Sequence, residues 1–167
     1  MASPKILVAY YSETGHTRAA AEGVAAALAA DLMEIVADDF RWPGVLGFLQ
    51  RGWRALRHRG AAIRPAVRSP NDYDLLIIGS PVWVGHVSPP VRSYMESIRA
   101  WKGPIAFFVT FDGQGGRPTL ADMAELAGRQ PIARMSLSSK DRHDGDDHEK
   151  IANFVATIRS TMEQPPV

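Results

Sequence analysis

Three short and nearly unbroken apolar runs limit the folds open to this chain more than any other feature. They are Lys5–Tyr11 (KILVAYY), Tyr73–Gly79 (YDLLIIG) and Ile105–Phe111 (IAFFVTF). An amphipathic strand alternates polar and apolar residues, whereas a strand covered on both faces reads as a continuous run. Leu32–Ala37 is a weaker run of the same kind, and Pro131–Ser138 alternates, as an edge strand does. Helix-favouring segments fill the intervals. Arg18–Ala30 is alanine-rich, with Val24 and Leu28 four residues apart. Pro89 and Pro90 suit a first helical turn that puts Val91, Tyr94, Met95 and Ile98 on one face. Thr119 and Asp122 have the spacing of a capping box. Asp146 or Asp147 would cap a last helix with a stripe of Ile151, Phe154, Val155, Ile158 and Met162, ended by Pro165 and Pro166. Strands alternating with helices at this spacing predict a parallel sheet covered on both sides, a three-layer α/β/α sandwich with five strands.

Composition narrows the function. The 167 residues suit a single domain spanning 1–167, and a hydrophobic share of 46% is enough for a core. There is no cysteine, so disulfides, thiolate metal sites and a cysteine nucleophile are excluded. The net charge of +1 argues against a nucleic-acid binder. No apolar run approaches the ~20 residues needed to span a bilayer, and Met1–Lys5 lack a secretory pattern, so a cytoplasmic protein is expected.

In a doubly wound sheet, ligands bind beyond the carboxyl ends of the strands. Three loops there carry chemistry. The first is Ser12-Glu13-Thr14-Gly15-His16-Thr17. Its three hydroxyls and successive N–H groups, at the positive end of a helix, offer what a phosphate requires without a lysine. A plain capped helix start would need only one hydroxyl. The loop lacks Gly-Lys-Ser/Thr and the spaced glycines of a dinucleotide fingerprint, so it matches neither of those phosphate motifs. The second loop, Gly79–Pro90, carries Trp83, a flat face for a planar ring or a cap on the core edge. The third, Thr110–Arg117, places Gly113, Gly115 and Gly116 within four positions, allowing close backbone approach.

The segment YYSETGHTRAAAEGVAAAL resembles the FMN-phosphate loop of the flavodoxin-like family, Ser/Thr-x-Thr-Gly-x-Thr. The resemblance runs from Lys5 to about Met162 and implies strand order 2-1-3-4-5. It implies non-covalently bound FMN, with Ser12, Thr14, Gly15 and Thr17 holding the phosphate and Glu13 and His16 adding backbone N–H groups. Ser80, Pro81, Val82, Trp83, Val84 and Gly85 would border the flavin ring, Trp83 stacking on it and Gly85 allowing a peptide to reorient. Thr110, Phe111, Asp112, Gly113, Gly115 and Gly116 would approach the ring or ribityl chain. There Phe111 stands where the family often has a stacking tyrosine, and Asp112 either accepts from a ribityl hydroxyl or forms a turn. No side chain is assigned as a catalytic acid or base. The implied role is electron transfer between a redox partner protein, or a small acceptor such as a quinone, and FMN. The alternative is an NAD(P)H-dependent quinone or flavin oxidoreductase on the same fold, as monomer or homodimer. A fold-only interaction module without cofactor is disfavoured by the three hydroxyls of the first loop.

Two charged stretches stand apart. From Arg41 to Asn71 there are seven arginines and no acid. A helix from Pro43 would gather Trp42, Val45, Leu46, Leu49, Trp53 and Leu56 in one stripe of ~100°, the usual width of a core-covering face. Contact of residues 41–59 with an anionic membrane, a nucleotide or an acidic partner is the less favoured reading. Asp141–Glu149 holds five acids, and within it His143-Asp144-Gly145-Asp146-Asp147-His148 fits no zinc or EF-hand spacing and reads as a solvated loop and helix cap.

Overall fold

A computed structural model describes residues 3–38, 53 and 60–163. The helix expected from Pro43, with its stripe from Trp42 to Leu56, therefore lies outside the described residues except for Trp53, which is half exposed.

Five parallel strands form the sheet: β1 (Ile6–Tyr10), β2 (Asp31–Glu34), β3 (Leu75–Trp83), β5 (Ile105–Phe111) and β6 (Arg134–Ser138). A short β4 (His86–Val87) pairs antiparallel with the end of β3. The order is β2-β1-β3-β5-β6. Counting the parallel strands alone, this is the order 2-1-3-4-5 that the resemblance implied. The helices are α1 (His16–Leu28), α2 (Pro89–Ser97), α3 (Gly116–Ala127), α4 (Ser139–Asp144) and α5 (Asp147–Glu163). Among the described residues, no helix is long and apolar enough to cross a membrane.

Successive side chains of a strand point to opposite faces, so each continuous apolar run supplies two cores. On one face Leu7, Leu76, Ile78, Phe107 and Val109 pack with Val91, Tyr94 and Met95 of α2 and Leu120 and Met123 of α3. On the other, Val8, Leu75, Ile77 and Phe108 pack with Ala20, Ala21 and Val24 of α1 and Phe154 and Ile158 of α5. Each fully buried Phe or Leu side chain contributes roughly 1.5–3 kcal/mol. Gly79 fits this packing: a Cβ there would stand 2.1 Å from the Phe108 ring.

Several boundaries differ from the sequence reading. The second strand ends at Glu34 instead of Ala37, and Ala37 forms an isolated antiparallel bridge to Ile63. The third strand starts at Leu75, after a 3-10 turn over Pro70–Asp72, and continues to Trp83 instead of stopping at Gly79. Pairing with β5 carries it onward, Ser80 opposite Val109 and Pro81 opposite Thr110. Pro81 is tolerated because β1 has already ended opposite Gly79. The first helix begins at His16, not Arg18.

The Thr119–Asp122 capping box does not form. α3 begins three residues earlier, Thr119 Oγ1 donates to the Gly115 carbonyl, and Asp122 receives Arg92. Instead a capping box joins Ser138 and Asp141 at the start of α4. This makes His143 and Asp144 helical, where a solvated loop was expected.

Candidate functional site

A cleft of about 360 Å³ opens at the carboxyl ends of β1, β3 and β5. Glu13, Thr14, His16 and Thr17 line it from the first loop, and Pro81, Val82 and Trp83 from the end of β3. Thr110, Phe111 and Asp112 line it from the end of β5, and Arg142 from α4.

The first loop is shaped by Ser12. Its Oγ accepts from the Gly15 N–H at 3.1 Å and the Arg18 N–H at 3.2 Å, so this hydroxyl folds the loop and does not line the cleft. Gly15, at φ +94, is the N-cap of α1, and no side chain caps the helix from that position. The uncapped first-turn N–H groups of His16 and Thr17 carry the positive end of the helix dipole toward the cleft. Thr17 Oγ1 lies 2.8 Å from Thr110 Oγ1, a buried tie between α1 and the end of β5.

The second loop is a hairpin. Val82 pairs with Val87 and Trp83 with His86, leaving Val84 and Gly85 as a two-residue turn. Both have positive φ, +51 and +76, the pattern of a type I′ turn. Trp83 meets Tyr11 edge to face at 5.9 Å, a contact worth about 0.5–1.5 kcal/mol that fixes its ring at the cleft wall. Ser80, placed at the ring by the sequence reading, is fully buried below it. Its Oγ donates to the Pro81 carbonyl and accepts from the Ser88 N–H, so it braces the hairpin and does not face the cleft.

Sequence reasoning missed the anchor beneath the hairpin. Arg92, on α2 and 4% exposed, donates through Nη2 to both Asp122 oxygens at 2.9 Å. Asp122 Oδ2 also accepts from the Val87 N–H at 3.1 Å and lies 3.6 Å from His86 Nδ1. The arginine and the aspartate are 30 residues apart in sequence, and nothing local pairs them.

In the third loop, Gly115 has φ +107, and a Cβ there would stand 2.9 Å from Val82 and 3.0 Å from the Gly85 backbone. Its role is to let this loop close against the hairpin. Gly116 is the first residue of α3, and a Cβ on it would meet the Phe111 ring, while Gly113 has open space around it. Val84, Gly85, Gly115 and Gly116 shape the loops, and neither they nor Gly113 are among the residues that line the cleft. Asp112 accepts at Oδ1 from Arg142 Nη2 at 3.0 Å. The sequence reading misses Arg142 because it places the site in the loops after β1, β3 and β5, whereas Arg142 sits in α4 after β6. The strand order, with β6 beside β5, was the signal that could have included it.

Asp141, next to Arg142 in α4, is engaged by Ser138 and Lys150 instead. Its hydrogen bond to Lys150 and those from the Ser138 N–H and hydroxyl hold its carboxyl down at about 2. Among the described residues, no group of three or more His, Asp or Glu could hold a metal ion.

Comparison with known proteins agrees with this architecture. A family model described as flavodoxin matches residues 5–134. Among solved structures, a flavoprotein from Lactobacillus acidophilus in complex with FMN is 23% identical, with a TM-score of 0.67 over 86% of this chain and 97% of that one. A protein from Bacteroides eggerthii is 22% identical, with a TM-score of 0.69 over 93% and 98%. Oxidised flavodoxin 2 from Bacillus cereus is 17% identical, with a TM-score of 0.61 over 94% and 99%. At these identities the structures show a common fold. No curated protein matches the sequence significantly. The family match covers β1 with its hydroxyl-bearing loop, the hairpin at the end of β3 and the glycine loop before α3, and by that match the chain belongs to the flavodoxin family.

Proposed function

We propose that the chain binds FMN non-covalently in this cleft and passes electrons through it. The observation that carries this reading is the start of α1, whose His16 and Thr17, with no side-chain cap from Gly15, line a cleft walled on another side by Trp83. An anion suits the first feature and a planar ring the second. The FMN complex of the Lactobacillus acidophilus flavoprotein, a relative by fold, supports the choice of ligand.

The residues present fit such a cofactor. Thr14, and Thr17 beside its Thr110 partner, add hydroxyls to the helix N–H groups at the anion end. Trp83 and Phe111 offer aromatic surface to the ring, and Asp112 lies where a sugar-like hydroxyl could donate to it. FMN supplies one- and two-electron chemistry when bound, and the protein supplies binding, orientation and access. The turn at Val84–Gly85 brings backbone polar groups beside Trp83. The Asp122–Arg92 pair holds that turn from below, so its position is set by a buried charge pair and not by the loop alone.

The test is the absorbance spectrum of purified protein loaded with FMN, followed anaerobically on adding NADPH and then NADH. A carrier keeps its oxidised flavin band until dithionite or a reductase protein is supplied. Rapid bleaching by either nucleotide would replace the carrier with an NAD(P)H-dependent oxidoreductase. Protein that takes up no FMN would overturn both.

A further inference from the structure

The wall of the cleft holds a guanidinium whose hydrogen bonding is half complete. Arg142 donates through Nη2 to Asp112, but its Nη1 is shielded from water with no acceptor among the described residues. A buried charged donor without an acceptor is costly and favours any ligand that supplies one. Asp112 does not satisfy the group: its side chain is 81% exposed while that of Arg142 is 19% exposed, so the partner is far more solvated than the cation. Among the residues lining the cleft, Arg142 is the one with a permanent positive charge, against the carboxylates of Glu13 and Asp112.

Its position selects the kind of ligand. Arg142 shares the cleft with Thr14, His16 and Thr17, the loop at the start of α1. The Thr17–Thr110 tie draws that loop to the end of β5, and Asp112 follows two residues later. The short helix α4 leads into α5, which packs beside α1. The guanidinium therefore approaches from the side where α1 presents its first-turn N–H groups.

The geometry points to Arg142 as an anion anchor that pairs with the phosphate of FMN and makes the site prefer FMN to unphosphorylated flavin. This rests on the FMN reading and adds a residue outside the hydroxyl loop. The cation offsets the two cleft carboxylates that would repel a phosphate dianion. A small rotation about the Asp112 contact gives Nη1 the acceptor it lacks, and guanidinium donors suit phosphate oxygens in fork geometry.

Affinities for FMN and for riboflavin, read by quenching of flavin fluorescence in wild type, Arg142→Gln and Arg142→Lys, test it. In Arg142→Gln the FMN affinity is expected to fall about tenfold or more, the size of one charge-assisted contact, while riboflavin affinity changes little. Arg142→Lys recovers part of the loss, since it keeps the charge and loses the fork. Raising salt should weaken FMN binding more steeply in wild type than in Arg142→Gln. Equal losses for both flavins, or an FMN preference unchanged in Arg142→Gln, would overturn the anchor while leaving FMN binding intact. Wild-type protein binding neither flavin would instead remove the FMN reading beneath it. Riboflavin binding by Arg142→Gln doubles as the check that the variant is folded.

Discussion

Val84 holds a β-branched side chain at φ +51, a backbone region that L-residues other than Gly, Asn and Asp seldom occupy. Strain of this kind costs about 1–3 kcal/mol and persists where the surroundings hold it in place. Here the surroundings are the ladder pairs on either side of the turn and the Asp122 carboxylate that receives the Val87 N–H. The Val84 side chain is 55% exposed, so little buried surface compensates. Val84→Gly should relieve the strain and return about 0.4–1 kcal/mol through the freer unfolded chain, for a net gain near 1 kcal/mol. Urea unfolding of the FMN-free protein would show this as a higher midpoint with an unchanged slope. A lower midpoint would mean that the valine packs more tightly than its exposure indicates.

At the scale of elements, the two helices after β6 depend on one carboxylate. Asp141 closes the capping box of α4 and receives Lys150 from α5 at 2.8 Å, joining the helices across the turn at Gly145. Because the folded chain holds this group at about 2, below its ordinary 3.8, the charged form is the one the fold favours. The unfolded chain then binds the proton more readily, so the stability from Asp141 is fully present above about pH 4 and is lost as pH falls toward 2. Asp141→Asn should therefore be less stable than wild type at pH 6, with the gap closing near pH 2. Paired urea titrations across that range measure it, and a gap constant with pH would assign the effect to shape and not to charge. The same stretch shows what a local reading loses. His143–His148 reads as a charged loop from its own residues, whereas Ser138 before it and Lys150 after it, both bonded to Asp141, build a helix junction there.

Across the whole molecule, legibility followed how local each cause was. The strands were visible in the sequence because burial on both faces writes a continuous apolar run into consecutive residues such as Ile6–Tyr10 and Ile105–Phe111. The ends of β3 and α3 were not, because they are set by partners elsewhere: Val109 and Thr110 extend β3, and Gly115 against the hairpin starts α3 early. Of the candidate site, the hydroxyl loop, Trp83 and the end of β5 were legible by their place after strands. Arg142 and the Arg92–Asp122 anchor needed the fold to bring them to the cleft and the hairpin. A site assembled from four separate stretches of chain couples ligand binding to global stability, since the unfolded chain holds none of it together. FMN at about 100 times its dissociation constant should then add ~2.7 kcal/mol. For a domain of this size that is a rise of roughly 5–10 °C in melting temperature, at ~2–4 °C per kcal/mol. Riboflavin at the same concentration lacks the phosphate proposed to pair with the α1 N-terminus and Arg142, and should give a smaller rise. Equal rises from the two flavins would show that the anion end of the cleft contributes nothing to binding. No rise with either flavin would leave the fold without its proposed cofactor.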